Sequence, residues 1–288
     1  MRSAFAGSHP ALNFLFFASV VAFGMVFFHP VFLGISFAAA FAYGVRLRGR
    51  RMLKTVFCLL LPTLLFVVLL GAAFNHYGVT TLFVLPNGNR VTLESIVHSL
   101  VTGGMVLTVF LWFVCYNAVV TTDKFLHVFG RAFPTGALLV SMTLRFLPIM
   151  RRRMQRIFEA QRGIGRGEGG RLRNGLHALS ILVTWSLEGA VDTADSMKSR
   201  GYGIRGRTNY TRFFWTRRDA ALSVLVLLGD ALVIAGIVCG QTRAIYDPYI
   251  CLPARTAFSY ALYIGYALLC FMPLLLDLTE DYKWNRSR

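Results

Sequence analysis

Long apolar runs, separated by short polar clusters, set the plan of the chain. A hydrocarbon core about 30 Å thick takes around 20 residues of helix to cross. Runs near that length extend from Thr55 to Phe74, Ser99 to Val120, Ala220 to Cys239 and Ala257 to Leu276. Two shorter ones, Ala11 to Phe28 and Val31 to Val45, meet at His29-Pro30, which reads as a tight hairpin between two helices. Pro62 marks a kink in the third run, and the aromatics from Trp112 to Tyr116 are placed where a membrane interface would favour them. The pattern predicts six spans, or five if the first pair forms one re-entrant element. The first run has a single Arg before it and no small-residue cleavage pattern after it, so it reads as retained.

Between the fourth and fifth spans the periodicity changes. Leu176, Leu179, Val183, Leu187, Ala190, Ala194 and Met197 follow at steps of three and four, which puts one apolar stripe on a helix of about 25 residues, with Glu188, Asp192, Asp195 and Ser199 in a polar row beside it. Ahead of it, Ala137 to Met150 is apolar, with Arg145 reading as buried and with Pro148; it then turns into Arg151-Arg152-Arg153, Arg156 and Arg162. A helix oily in its first half and basic in its second would lie near the membrane face and present its end to water. The fold class this implies is an all-α integral membrane protein in three regions: 1–120 with four spans, 121–218 with long amphipathic cytoplasmic helices, and 219–288 with two spans.

Composition sharpens the picture. Of 288 residues, 56% are hydrophobic and 15% charged, yet the net charge is +17, so apolar and basic residues must be segregated. Residues 121–218 hold 18 Lys or Arg against 6 acids, a local net charge of +12. Lys and Arg favour cytoplasmic loops. Arg46, Arg48, Arg50, Arg51 and Lys54 place the second connection in the cytoplasm, while Asn75 to His98 and Gly240 to Thr256, nearly free of basic residues, read as external. The former contains Pro86-Asn87-Gly88-Asn89 between β-branched stretches, the mark of a small hairpin. Six spans then leave both termini inside.

Several chemistries are disfavoured. Cys58, Cys115, Cys239, Cys251 and Cys270 form no CxxC, and four of the five sit in apolar runs, so neither disulfides nor structural zinc organise the fold. His9, His29, His76, His98, His127 and His177 are scattered without HxxxH or HExxH spacing, so no metal site is expected, and most read as interfacial or capping residues. Glu188, Asp192 and Asp195 are the one acidic cluster; a lipid-active membrane enzyme could use such a row for Mg²⁺, but a solvated face offsetting the basic helices accounts for it better. No catalytic residue or cofactor is expected. The basic helices would attract anionic membrane lipid; they lack an aromatic-basic recognition pattern, so no nucleic-acid partner is expected. Interfacial anchoring is the reading for Trp185, Trp215 and Tyr210, and for Tyr202 unless a partner engages it.

Each long helix ends in Arg-Gly, at Gln161-Arg162-Gly163 and at Ser199-Arg200-Gly201. Glycine just past a helix end is a common stop. What remains is an arginine at each tip, whose planar fork pairs with carboxylates, so two tips suggest a two-point docking device. Here the sequence resembles the transmembrane (T) component of energy-coupling factor (ECF) transporters. Ser186-Leu187-Glu188-Gly189-Ala190, leading into Ala194-Asp195-Ser196-Met197-Lys198-Ser199-Arg200-Gly201-Tyr202, is similar to the family's helix ending in an Ala-Arg-Gly signature, with Ser199 in place of Ala. Leu144-Arg145-Phe146-Leu147-Pro148, the basic stretch and Glu159-Ala160-Gln161-Arg162 resemble the lead-in to its first signature, and Phe74-Asn75-His76 is compatible.

The resemblance implies a non-enzymatic coupling subunit in the plasma membrane of a prokaryote. Its partners would be two ABC-type ATPase subunits and a small membrane substrate-binding S component that carries a vitamin or metal ion. It further implies ATPase contacts at Ala160, Gln161, Arg162, Gly163, Ser199, Arg200 and Gly201, and S-component contacts at Val183, Leu187, Ala190, Ala194 and Met197. Register with Ala160-Gln161 puts Ile164-Gly165 where the family has Arg-Gly, so the first docking arginine is Arg162 or Arg166. A conventional ABC-importer permease, the other transport reading, generally docks one ATPase loop through a Glu-Ala-Ala pattern and lacks two long basic helices.

Overall fold

The computed structural model describes residues 4–75, 78–84, 90–164, 170–202, 213–242, 244, 246, 249, 251 and 256–286. His76, the Pro86–Asn89 turn, Arg166, Tyr210, Arg243 and Arg255 lie outside the described residues. Among the described residues the regular structure is helical apart from one small hairpin: α1 (Pro10–Val26), α2 (Pro30–Arg48), α3 (Arg50–Thr55), α4 (Leu61–Phe74), β1 (Thr81–Val84), β2 (Arg90–Thr92), α5 (Leu93–Val119), α6 (Thr122–Ala132), α7 (Pro134–Gly163), α8 (Arg171–Ser199), α9 (Arg217–Val238) and α10 (Ala257–Arg286). It is therefore an all-α membrane protein. Among the described residues five helices are long and apolar enough to cross a bilayer, and α1, at 17 residues, is a shorter apolar helix beside them.

Sequence chemistry explains the helix ends. His9-Pro10 and His29-Pro30 open α1 and α2 in the same way: proline takes the first helical position, where no N–H is needed, and the preceding imidazole Nδ1 accepts the N–H of Ala11 or Val31 at 3.2 Å. The capping reading of these two histidines holds. α2 continues to Arg48, past the apolar run that ends at Val45, because Arg46 finds carboxylates at Asp277 (3.8 Å) and Asp281 on α10. Gly49, at φ +58°, turns the chain into α3. The kink expected at Pro62 takes the form of a π-turn over Val56–Leu60, in which the Leu61 N–H reaches back five residues to the Val56 carbonyl. A proline N that cannot donate favours such a widened turn. α9 starts at Arg217, ahead of the apolar run, on a capping box between Thr216 and Asp219. β1 and β2 pair antiparallel, Thr81 with Thr92 and Val84 with Arg90, as the hairpin reading predicts.

The chain divides into two compact units, residues 1–125 with 213–288, and residues 126–212. In the first, α5 lies against α1, α2 and α4, while α10 packs on α2 and α9. Its core is aromatic: Phe5, Phe16, Phe17, Tyr43, Trp112 and Tyr266 are all buried. Trp112 corrects the interfacial reading, because its ring sits edge-on to Phe16 and Phe17 and its Nε1 donates to Ser36 at 2.9 Å. Buried carboxylates tie down the amino-terminal segment: Asp277 accepts the Phe5 N–H at 3.1 Å and Asp219 the His9 N–H at 3.3 Å. Lys124, just beyond α5, is buried as well and donates to the carbonyls of Ala6 and Val119. Asn13 completes this site, with its amide oxygen accepting from Lys124 (2.9 Å) and its nitrogen donating to the Phe5 carbonyl (2.9 Å). The second unit is built on α7 and α8, 30 and 29 residues long.

Candidate functional site

Apart from Arg166, which lies outside the described residues, the site residues singled out by the sequence lie on α7 and α8 or in the cap just past α8. α8 packs on α7 through its own small and polar face. Ala178 is fully buried, Leu182, Ser186 and Gly189 are half-buried, and on α7 the matching buried residue is Ile157. Ser186 Oγ lies 3.2 Å from Met150 Sδ, and a side chain on Gly189 would come within 3.9 Å of the Arg153 guanidinium. The small side chains at 178, 186 and 189 let α7 approach without displacing anything large.

The apolar stripe lies about 100° around the helix from that packed face, one residue further along at each turn. Val183, Leu187, Ala190 and Ala194 are exposed and Met197 is half-buried. Leu187 presents 67% of its surface, and Leu176 63%. Leu172, Trp185 and Val191 widen the exposed apolar surface beyond the stripe read from the sequence. A strict three-and-four spacing selects one narrow row, whereas an amphipathic helix buries an arc of 100° or more. Glu188, Asp192 and Asp195 are exposed in the row beside it.

The two helix tips are built differently. At the end of α8 the Gly201 N–H donates to the Lys198 carbonyl (3.1 Å), the Tyr202 N–H donates to the Met197 carbonyl (3.1 Å), and Gly201 takes φ +75°. That is a Schellman cap, which satisfies the last carbonyls and needs a residue free to adopt positive φ. Arg200 is the cap residue, exposed, and Ser199 turns its hydroxyl back onto the Ser196 carbonyl at 2.8 Å. At the end of α7 the expectation that Gly163 stops the helix is corrected. Gly163 is the last helical residue, its φ is not positive, and Ile164 caps the helix with its N–H on the Ala160 carbonyl at 3.2 Å. Ala160, Arg162 and Gly163 are exposed and Gln161 is half-buried.

The basic half of α7 is solvent-facing at Arg151, Arg152 and Arg156, and Arg153 is half-buried. Arg145, which the sequence placed inside, is exposed. Among the described residues Arg145 stands on an exposed stretch of α7, from Leu144 to Ile149, so its apolar neighbours in sequence do not bury it. Both tips carry their cations at the negative end of a helix dipole, Arg162 on α7 and Lys198 with Arg200 on α8, which favours them there. Among the described residues no cluster of three His, Cys, Asp or Glu side chains could hold a metal ion.

A sequence model of the CbiQ family, described as cobalt transport protein, matches residues 7–210 and so takes in both helices and both tips. The chain is similar to the energy-coupling factor transporter transmembrane protein EcfT of Lactobacillus helveticus, with 37% identity over 105 residues, 34% of this chain and 38% of that protein. It is similar to the EcfT of Exiguobacterium sibiricum, with 39% identity over 104 residues, 34% of this chain and 40% of the relative. The chain thus spans 38% to 40% of the length of these two relatives. A longer match, 31% identity over 199 residues, joins it to the EcfT of Macrococcus caseolyticus and covers 63% of this chain and 72% of that one.

Proposed function

This chain belongs to the CbiQ family of cobalt transport proteins, and from that membership we propose that it is the coupling subunit of an ECF-type importer. The named relatives are transporter membrane components, not enzymes. In this reading residues 1–120 and 219–288 are the membrane regions and 121–218 is the cytoplasmic coupling region, in the plasma membrane of a prokaryote with both termini inside. Two ABC-type ATPase subunits would dock on the tips of α7 and α8, through Ala160 to Gly163 and Ser199 to Gly201. A small membrane S component, which selects the vitamin or metal ion, would cover Val183, Leu187, Ala190, Ala194 and Met197.

The observation that carries this reading is the Schellman cap of α8. It fixes Arg200 at the end of a 29-residue helix whose adjoining apolar face is uncovered. Guanidinium is suited to a bidentate grip on carboxylate, and a capped helix transmits a push at its tip along its whole length with little local give. ATP-driven closure of the ATPases would move the tips, and the apolar face of α8 would pass that motion to the S component as a tilt. The supporting test is Arg200→Glu in the membrane-expressed protein. ATPase co-purification and uptake should be lost while the protein remains in the membrane; an intact complex from that variant overturns the assignment. A pull-down from native membranes should yield two ATPases and a small, very hydrophobic protein.

A further inference from the structure

A cleft of about 350 Å³ opens in the membrane unit between α2 and α4, with α5 as its floor. α4 packs along α5, and so does α2, but α4 barely touches α2, so the gap between them stays open to the side. Every lining residue is apolar, among them Leu33, Gly34 and Phe37 of α2, Val56 in the π-turn, Leu64 of α4 and Gly104 of α5. A side chain at Gly34 would meet nothing within 4 Å, which marks unfilled space rather than close packing. The wall at Val56 is two residues from Lys54, and Lys54, Arg50 and Arg51 are exposed on α3. Among the described residues none of these three lies within ion-pair distance of an acid, whereas Arg46 nearby is paired with Asp277 and Asp281.

An apolar slot running into the bilayer from a cluster of exposed cations has the chemistry of one kind of molecule. We infer that the cleft between α2 and α4 holds an acyl chain of an anionic phospholipid whose phosphate rests on Arg50, Arg51 and Lys54. At 1.5 Å per residue, Gly34 lies about 22 Å along α2 from Gly49, beyond the midplane of a hydrocarbon core about 30 Å thick. A lipid anchored at the α2–α3 turn therefore reaches Gly34 only with a long chain. This site is separate from the basic half of α7, and it does not depend on the transport assignment. The lipid would wedge α4 against α5 on the side where α2 leaves it unsupported.

The test separates headgroup from chain. The full-length protein, purified in mild detergent, is titrated with phosphatidylglycerol or phosphatidylcholine, each with long (16–18 carbon) or short (8 carbon) chains, and bound lipid is counted by native mass spectrometry. Wild type should prefer long-chain phosphatidylglycerol over long-chain phosphatidylcholine by roughly 10- to 100-fold, given three basic residues near the headgroup. Arg50→Gln/Arg51→Gln/Lys54→Gln, all on the surface, should erase that preference but keep the advantage of long chains over short. Gly34→Leu, which fills open space, should erase the chain-length advantage but keep the headgroup preference. Either variant binding like wild type overturns the site, and so does a wild type that does not discriminate by headgroup or by chain length.

Discussion

Phe5, Phe16, Phe17 and Trp112 are buried in the membrane unit and pack edge to face, whereas Leu172, Leu187, Trp185 and Val191 of the second unit are also apolar and stand open. Exposure alone does not separate the units, because Leu228 and Val238 of α9 are also uncovered. What differs is the rest of the helix. Between Asp219 and Gln241 α9 carries a single ionisable carboxylate, Asp230, and that residue accepts from Ser19 of α1 at 2.6 Å, so the helix suits a bilayer on all its outer sides. α8 has Glu188, Asp192, Asp195 and Lys198 on one side and the leucine row on another. Uniform apolarity fits lipid, while a divided helix calls for a partner on one face and water on the other.

The contrast breaks most sharply at Phe17. Phe17→Ala removes a ring that touches Phe5, Trp112 and Tyr116 from a site with no room to relax, and should cost about 3–5 kcal/mol. Thermal unfolding in detergent, followed by near-UV circular dichroism, should show a fall of many degrees. A melt within a degree or two of wild type would mean the aromatic cluster is not what orders the membrane unit.

Lys124 supplies the next largest effect, and one that depends on pH. Burial lowers its amine from the ordinary 10.5 to about 8. Below pH 8 the amine is charged in both folded and unfolded chains, and the burial penalty is felt in full. Between about 8 and 10.5 the folded protein sheds this proton while the unfolded chain keeps it. The unfolded state then binds more protons, so stability rises with pH across that window, by at most about 1.4 kcal/mol per unit. Melts at pH 7.5, 9 and 10 should show that rise, and Lys124→Gln should flatten it; an unchanged slope in the variant removes Lys124 as its source.

At the tips the expected effects are smaller and of opposite sign. Gly201→Ala puts a side chain at φ +75° and should cost about 1–2 kcal/mol in the last turn of α8, loosening Arg200. Gly163→Ala, inside α7 without positive φ, should be neutral or stabilise by up to about 1 kcal/mol. ATPase co-purification should therefore weaken more with the first variant, which loosens the tip, than with the second, which leaves the α7 backbone unstrained. Equal losses would mean that both tips dock through the glycine itself rather than through the arginine it displays.

These four sites also show how far the sequence alone could go. The spans were legible because a run of 20 apolar residues has few other uses, and the α8 tip because Arg-Gly after a long amphipathic run is a local signal. Trp112 was misread because the end of an apolar run looks interfacial until one knows that this face of α5 meets Phe16 and Phe17 of α1. Lys124 gave no signal: beside the local Val119 carbonyl, two of its acceptors, Ala6 and Asn13, come from the far amino-terminal segment. Gly163 failed for the converse reason, since a local stop signal was overridden by one more turn of helix onto Ile164. Arg145 reads as buried from its apolar neighbours, but those neighbours, Leu144 to Ile149, are themselves exposed among the described residues.

The smallest effect on the isolated chain decides whether the divided face of α8 is a seat. Leu187 is mostly exposed, so Leu187→Ser removes little packing and should change stability by no more than about 0.5 kcal/mol. The same substitution in an assembled complex would take a buried leucine out of an interface, where full burial of such a side chain is worth about 1.5–3 kcal/mol. Melting of the purified subunit should therefore be unmoved, while retention of a small hydrophobic partner through detergent washing drops by an order of magnitude or more. Paired substitutions sharpen this further. Val183→Ser with Leu187→Ser should lose the partner more completely, while Leu228→Ser on the uniformly apolar α9 should leave it bound. If the α8 and α9 variants behave alike, the leucines of α8 face lipid as those of α9 do, and the distinction between a uniform and a divided helix carries no functional weight in this protein.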